Sequence, residues 1–366
     1  MFRKKIEKIK NFYKIYTSGL KRNEIELLLK KDTLDAISYL KGKANLDTRQ
    51  QKPGSIKHYL KVSKEIFISF VMQLTPARRL VYGIGAVGFV YGILHTHMFY
   101  IISSALIFNF LLALELVDKL TTRDELEIAR EIQLSLQPVN IPTSDHFSFS
   151  AFSEPAKIVG GDFFDIIQPA EDRIIGIVGD VSDKGIPAAL YAAYTQSMFQ
   201  SLSETKTSPS QIMGSLNNLI GKKLRDGDFI TIAIALFDLN DRSVTITRAG
   251  HNWPLYYSSD TKIISELKPK GPCIGMMENP QFTDQIEEHK IYLNKGDFIL
   301  LYTDGITEAF DPNKKMFDIS NLKTAVKDSV HRSSKEVIDH INLQLATFVD
   351  SNELQDDATM VGVKIH

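Results

Sequence analysis

The hydrophobic and polar positions divide the chain into three consecutive parts. Residues 80–117 form an apolar segment in which Glu115 is the only Asp, Glu, Lys or Arg. The residues before this segment place apolar side chains at helical spacing among many basic ones, and the residues after 146 contain several runs with strand-like alternation. The pattern therefore predicts a helical N-terminal region, an apolar middle and a strand-rich C-terminal part.

The apolar segment is too long for a single membrane span. A helix of its 38 residues would be about 57 Å long, whereas the hydrocarbon core of a bilayer is roughly 30 Å thick. Two spans, about 80–95 and 97–117, fit better, with a turn at residues 95–97. Gly88 and Gly92 have the spacing that allows two helices to pack closely. Two alternatives stay open: a buried hairpin of a soluble domain, or one span preceded by an interfacial segment.

The charges are distributed unevenly along the chain. Residues 1–79 hold 19 Lys and Arg against 7 Asp and Glu, and residues 118–366 hold 24 against 36. Basic residues flank both ends of the apolar segment, which predicts that both ends lie on the cytoplasmic side. We therefore expect a multi-pass protein of the inner (cytoplasmic) membrane. The basic head either contacts anionic headgroups or forms a small helical bundle.

The composition excludes several classes of protein. A single cysteine, Cys273, rules out an internal disulfide framework, and the chain has no Cys/His cluster at zinc spacing. The acidic C-terminal part lacks the basic footprint of nucleic-acid binding, so no nucleic-acid partner is expected.

The apolar spacing within residues 121–137 predicts a helix that links the apolar segment to the C-terminal part. Pro138 and Pro142 end it, and the helix could pair in a homodimer. The resulting domain prediction is a basic helical region at 1–78, a transmembrane hairpin at 79–117, a helical linker at 118–142 and a catalytic domain at 143–366.

The C-terminal part predicts an α+β fold, an antiparallel β-sandwich flanked by helices. Residues 229–236 alternate cleanly, and a polar turn separates them from residues 243–247, which predicts an antiparallel hairpin. The predicted strands are 147–152, 173–180, 229–238, 243–249, 297–303 and 358–365, and the predicted helices are 187–203, about 209–224 and 334–349.

Five aspartates stand next to apolar runs and are therefore expected at strand ends: Asp162, Asp180, Asp304, Asp356 and Asp357. Carboxylates gathered in one cleft repel one another unless cations neutralise them. Ligation by oxygen atoms alone suits Mg²⁺ or Mn²⁺ better than zinc. The pattern thus predicts a site for divalent metal.

The order of the motifs around these acids is specific. From Ala129 to the C-terminus the chain resembles the PPM-type (type-2C-like) metal-dependent serine/threonine phosphatases, in their bacterial SpoIIE/RsbU branch. The matching motifs are Glu154-Pro155-Ala156-Lys157-Ile158-Val159-Gly160-Gly161-Asp162-Phe163-Phe164-Asp165, Gly179-Asp180-Val181-Ser182-Asp183-Lys184-Gly185-Ile186-Pro187-Ala188-Ala189-Leu190, Ala249-Gly250-His251-Asn252, Tyr302-Thr303-Asp304-Gly305-Ile306-Thr307-Glu308-Ala309 and Asp356-Asp357-Ala358-Thr359.

The resemblance implies two divalent cations, Mn²⁺ or Mg²⁺, in a sandwich cleft. It implies that Asp180 bridges both ions and that the Val181 carbonyl completes one ligand shell. Asp304 and Asp356 would bind on the other side, and Asp162 would hold metal through water. A metal-activated water would then attack phosphorus in line.

The same resemblance implies roles for further residues around this centre. Asp165, Glu308 and Asp357 would support the ligands. Lys157 is either a phosphate contact or a solvated surface lysine. Within the Gly250-His251 turn, the imidazole either donates a proton to the leaving alkoxide or stabilises the turn.

These implications give the expected function. The chain would be a membrane-anchored protein phosphatase facing the cytoplasm, with a phosphorylated small regulator of the anti-anti-sigma type as its substrate and partner. Two alternatives stay open, an inactive scaffold with a phosphatase fold and a metal hydrolase of a small phosphate ester.

Overall fold

The computed structural model describes residues 56–138, 140–350 and 354–366, so most of the basic head predicted to be helical lies outside the described residues. The chain forms two compact units, Met1–Leu120 and Thr121–His366. Helix α3 contains the boundary between them.

The first unit contains helix α1 (Ile56–Gln73), helix α2 (Pro76–Leu94) and the first part of helix α3 (Met98–Leu136). Helices α2 and α3 are antiparallel, with the predicted turn between them. A Cβ atom on Gly92 would lie 2.8 Å from Ile101 Cγ1, and one on Gly88 would lie 3.0 Å from Ser104 Oγ. Only glycine allows such close approach, so this spacing places the two helices in direct contact.

A group of ion pairs joins the two helices at the end of the hairpin away from the turn. The Arg78 guanidinium lies 2.8 Å from the Glu115 carboxylate and 2.7 Å from Asp118. The single acid of the apolar segment is therefore neutralised within the unit. Large apolar side chains such as Leu80, Ile84 and Leu94 are exposed, and both helices are long and apolar enough to cross a membrane by length and composition.

The second unit is built on two antiparallel five-stranded sheets. Their strand orders are β1-β10-β9-β6-β7 for sheet A and β2-β3-β4-β5-β8 for sheet B. The strands are β1 (Phe147–Glu154), β2 (Phe163–Ala170), β3 (Arg173–Val181), β4 (Ile230–Asp238), β5 (Ser243–Ala249), β6 (Leu255–Tyr257), β7 (Ile264–Glu266), β8 (Glu288–Tyr292), β9 (Phe298–Tyr302) and β10 (Ala358–Ile365).

Helices cover the outer face of each sheet. The helices are α4 (Ile186–Thr205), α5 (Pro209–Ile220), α6 (Asp304–Thr307), α7 (Asp318–Ser329) and α8 (Ser334–Val349), with short 3₁₀ segments at Gly221–Lys223 and Thr283–Gln285. One core joins sheet A to α7 and α8, a second lies between the sheets, and a third joins sheet B to α4 and α5. The predicted α+β sandwich is confirmed.

Strand β4 shows why a sequence with this pattern forms a central strand. Ile232 and Ile234 belong to the core under helices α4 and α5, whereas Ala235 and Phe237 belong to the core between the sheets. Both faces are apolar because both faces are buried. The predicted hairpin with β5 is present, with Asp238 opposite Ser243.

The structure also differs from the prediction at several elements. The α-helix expected at 209–224 ends at Ile220, and a 3₁₀ turn follows it. Four strands and one of the longer helices were not predicted, namely β2, β6, β7, β8 and α7. Strands β6 and β7 have three residues each, which is too short for a periodic pattern to show.

Candidate metal centre

Both sheets contribute predicted metal ligands at the ends of their strands. In sheet B, Asp162 immediately precedes β2 and Asp180 is the penultimate residue of β3. In sheet A, Asp304 lies two residues after the end of β9, and Asp356 lies two residues before the start of β10. The Thr303 hydroxyl donates a hydrogen bond of 2.7 Å to Asp162 Oδ2, so these ends of the two sheets meet.

The carboxylates act on one another electrostatically. Burial, followed by the charges of Asp304 and Asp356, raises the pKa of Asp180 to about 7. Burial and then the charge of Asp180 raise the pKa of Asp162 well above its ordinary value. Burial and the charge of Asp356 also raise the pKa of Asp304. Acids that affect one another in this way share one cleft.

Glu308 belongs to the same acidic group. It follows the short helix α6, and its pKa is raised by burial and by the charges of Asp304 and Asp356. Its position therefore fits the supporting role that the resemblance implies.

Asp357 holds the loop that carries Asp162. Its two carboxylate oxygens accept hydrogen bonds from the backbone N–H of Ala156 at 2.8 Å and of Gly161 at 2.6 Å. A Cβ atom on Gly160 would lie 2.5 Å from Asp357 Oδ2, and one on Gly305 would lie 1.9 Å from the Asp357 carbonyl oxygen. Gly160 and Gly305 are thus required by close approach to the carboxylate and the backbone of Asp357, respectively.

Sequence reasoning assigned no role to Thr303, which connects the two sheets. Its hydroxyl donates to Asp162 and accepts a hydrogen bond of 2.9 Å from the Thr359 N–H. The threonine is fully buried. Its position between an apolar strand and Asp304 is the only signal in the sequence.

Lys184 is the second residue whose role was not predicted. Its ammonium donates to Asp356 Oδ2 at 2.5 Å and to the Gln355 carbonyl at 3.3 Å. It lies in the quoted motif around Asp180, but nothing in the sequence indicates a contact with a segment so distant along the chain.

The predicted accessory residues lie in different surroundings. Asp165 is buried on β2 and accepts a hydrogen bond of 2.6 Å from Gln200 of helix α4. Lys157 is exposed, and its charge adds to the hydrogen bonds that lower the pKa of Asp183. Gly250 has a positive φ of 66° and would clash with Cys273 if it carried a side chain.

His251 is buried behind Asp180. Its Nδ1 lies 2.8 Å from the hydroxyl of Thr231, the residue opposite Asp180 in the β3–β4 pair. Burial and the nearby Arg248 charge lower the pKa of His251 to about 3. The ring is therefore neutral, which favours the turn-stabilising interpretation over proton donation.

The donor set fits divalent metal. All predicted ligand atoms are oxygen, as Mg²⁺ and Mn²⁺ prefer, and the Lys184 ammonium stands in for a cation at Asp356. Within the described part of the chain, no three His, Cys, Asp or Glu side chains form a ready-made metal-binding group. Asp356 and Asp162 are instead hydrogen-bonded to Lys184 and Thr303.

A protein-family model matches more than half of the chain. The model described as Stage II sporulation protein E (SpoIIE) matches residues 170–366. The chain belongs to the SpoIIE family. This match includes Asp180, Asp304 and Asp356, whereas Asp162 and Lys157 precede it.

Relatives of the SpoIIE domain agree with this assignment. Phosphoserine phosphatase RsbU of Bacillus subtilis is 30% identical over 239 residues, which are 65% of this chain and 69% of RsbU. Protein IcfG of Synechocystis is 30% identical over 66% of this chain, which spans 41% of IcfG. The SiaA-PP2C domain of Pseudomonas aeruginosa has the same fold, with a TM-score of 0.59, 19% identity, and coverage of 68% of this chain and 98% of that domain. The chain therefore carries a SpoIIE-family PP2C phosphatase domain.

The raised pKa of Asp180 predicts how metal and pH act on the SpoIIE domain. The ordinary pKa of 3.8 rises to about 7 on folding, so between these values the native state holds a proton that the unfolded state releases. The free energy of unfolding of the metal-free protein should therefore fall as pH rises from about 4 to about 7. Because Mn²⁺ would replace the proton, thermal unfolding should show a larger stabilisation by Mn²⁺ at the higher pH.

Asp180→Asn provides the control for this titration. It removes one of the titrating groups and should reduce the pH dependence of the metal-free melting temperature, which Asp162, Asp304 and Glu308 also contribute to through their raised pKa values. A wild-type melting temperature that rises over the same pH interval would contradict the prediction.

Thr303→Val should weaken the junction between the two sheets. The substitution keeps the shape and removes the donor to buried Asp162, which should lower the free energy of unfolding by about 1–3 kcal/mol. Chemical denaturation of the full chain measures the loss. Thr303→Ser retains the hydroxyl and should keep most of the stability; equal losses in both variants would argue against the hydrogen bond as the cause.

Proposed function

We propose that this SpoIIE-family protein is a membrane-anchored, metal-dependent phosphatase that removes phosphate from phosphoserine or phosphothreonine of a small regulatory protein. The observation that carries the proposal is the desolvation of Asp180 next to the charges of Asp304 and Asp356, which together raise the pKa of Asp180 to about 7. Carboxylates arranged in this way need positive charge, and divalent cations supply it.

In this proposal the carboxylates have distinct roles. Asp180 would be the ligand shared by the two ions, with the Val181 carbonyl beside it; Asp304 and Asp356 would bind on the sheet A side, and Asp162 would hold metal through water. Mn²⁺ or Mg²⁺ at such a centre would supply an activated water and the positive charge that stabilises phosphoryl oxygens. The contribution of the protein is to fix the ligands, through Thr303 for Asp162 and through the Asp357 N–H, which donates to Asp356 Oδ1 at 3.0 Å.

The substrate assignment is supported by the relatives. RsbU is named a phosphoserine phosphatase, and the resemblance to its branch implies a phosphorylated regulator of the anti-anti-sigma type. We propose a substrate of that type, within a partner-switching pathway. The acidic C-terminal unit offers no basic footprint for nucleic acid.

The membrane anchor is the helical hairpin of α2 and the first part of α3. Its exposed apolar side chains, the neutralised Glu115 and the basic residues that flank the apolar segment support two spans with both ends in the cytoplasm. In this arrangement the phosphatase domain faces the cytoplasm at the inner membrane.

We further propose that the helix 121–137 transmits the state of the hairpin to the metal centre. Gln133 Nε2 donates to the Gly160 carbonyl at 2.7 Å, and the Gly160 N–H donates back to Gln133 Oε1 at 3.2 Å. Gln196 of helix α4 donates to the Leu136 carbonyl at 2.7 Å and to the Phe164 carbonyl at 3.0 Å. The end of the helix is thus fastened to the loop before Asp162. Exposed Ile128 and Ile132 side chains on this helix support the proposal that it pairs in a homodimer.

Substitution of the bridging acid tests the activity. Asp180→Asn should abolish Mn²⁺-dependent hydrolysis of a phosphoserine protein of the anti-anti-sigma type, because the proposed ions lose their shared ligand. Phosphate release by the full chain measures this. Asp183→Asn is the matched control. That acid is partly exposed and ion-paired with Arg225 rather than with a proposed metal ligand, so the variant should retain most of the activity.

The same assay separates the proposed function from its alternatives. A scaffold would release no phosphate from any substrate. A small-molecule hydrolase would prefer a chromogenic ester or a nucleotide to the phosphoprotein at equal concentration.

Substitution of Gln133 tests the connection with the linker helix. Gln133→Ala removes two hydrogen bonds to Gly160, each worth about 0.5–1.5 kcal/mol, and should lower turnover and Mn²⁺ affinity of the full chain in lipid vesicles by roughly tenfold. Ser135→Ala, whose hydroxyl bonds only its own helix among the described contacts, should leave both unchanged. Wild-type turnover in Gln133→Ala would refute the connection.

A further inference from the structure

One basic side chain lies within the acidic cleft. Lys184 is in the loop between β3 and α4, and its ammonium contacts Asp356, which precedes β10 of the other sheet. The ion pair is partly exposed, with 51% of the Lys184 side chain and 40% of the Asp356 side chain accessible to solvent. A cation from solution can therefore reach the same carboxylate.

Both oxygens of Asp356 are engaged in this arrangement. Oδ1 accepts a hydrogen bond of 3.0 Å from the Asp357 N–H, and Oδ2 accepts the bond of 2.5 Å from Lys184. A divalent ion bound to Oδ2 would lie beside an ammonium of like charge. Two positive charges at such a distance repel each other, more strongly where burial lowers the dielectric constant. The ion and the ammonium therefore compete for Asp356.

The charge of Lys184 also acts on the rest of the cleft. It lowers the pKa values of Asp180, Asp304 and Glu308, against the stronger effect of burial. The Lys184 ammonium therefore supplies part of the positive charge that the acids require.

Other nearby cations do not occupy this position. Arg225 is ion-paired with Asp183 and Asp228, and Lys157 is exposed near Asp183. Among the ion pairs of the described residues, only the one made by Lys184 involves a predicted metal ligand.

We propose that Lys184 is the resident counter-cation of this cleft, which holds Asp356 in the metal-free protein and is displaced when a divalent ion binds. This inference rests on the proposed metal-dependent function. It makes metal uptake an exchange of one cation for another, so that Lys184 sets the metal concentration at which the centre fills.

Mn²⁺ titration of the metal-stripped full chain by calorimetry, together with thermal unfolding, tests the exchange. Lys184→Gln should bind Mn²⁺ at least about threefold more tightly than wild type, since the competing ion pair is gone. Its metal-free form should melt at a lower temperature than wild type, whereas the two proteins saturated with Mn²⁺ should melt together. Lys184→Arg keeps the charge and should keep the wild-type affinity.

Lys157→Gln is the matched control, because it removes the same charge from the neighbourhood without removing an Asp356 contact. Equal tightening in Lys157→Gln and Lys184→Gln, or unchanged or weaker binding in Lys184→Gln, would overturn the proposal while leaving the metal-dependent function in place. Absence of Mn²⁺ uptake by every variant would overturn both.

Discussion

The repulsion among the carboxylates of one cleft is the interaction on which the rest of this structure depends. Asp162 and Asp180 come from one sheet, and Asp304 and Asp356 come from the other. Their mutual effect, added to burial, is large enough to bring the pKa of Asp180 near neutrality. Bringing carboxylates that repel one another together costs free energy, and groups with such perturbed pKa values cluster at functional sites. The acids remain together because the cores on both sides of each sheet fix the strand ends that carry them.

The protein reduces this repulsion with donors that reach the acids from distant segments. Thr303 donates to Asp162, and Lys184 donates to Asp356. The Asp357 carboxylate differs from these acids, because it accepts hydrogen bonds from backbone N–H groups of the loop 156–161. One aspartate of the neighbouring pair is thus structural while the other stays available for a cation. The close approach at Gly160 and Gly305 makes this division possible, because any side chain there would displace the Asp357 backbone or carboxylate.

Elements with a local hydrophobic pattern could be predicted from the sequence alone. Strands β4 and β10 are apolar on both faces and were predicted close to their observed bounds, and the acids next to them pointed to the cleft. Strand β2 was missed because Asp165 and Pro169 interrupt its apolar run. Its pairing with β3 is irregular between Ile167 and Ala170. The partners of the acids could not be predicted, since the Thr303–Asp162 and Lys184–Asp356 contacts join residues 141 and 172 positions apart. Such contacts arise only when two sheets close on each other.

The small free energies of the hydrogen bonds around the proposed metal centre would make it easy to regulate. A hydrogen bond contributes about 1 kcal/mol net, and a change of about 1.4 kcal/mol alters an equilibrium tenfold. The loop before Asp162 is held by the Asp357 carboxylate and by Gln133 of helix α3. Because α3 extends from Met98 to Leu136, a small rotation or shift of its last turns would change the position of this loop without disturbing either sheet. Under the proposed function, a cleft whose acids are already in balance between repulsion and their donors would need no larger input to gain or lose metal.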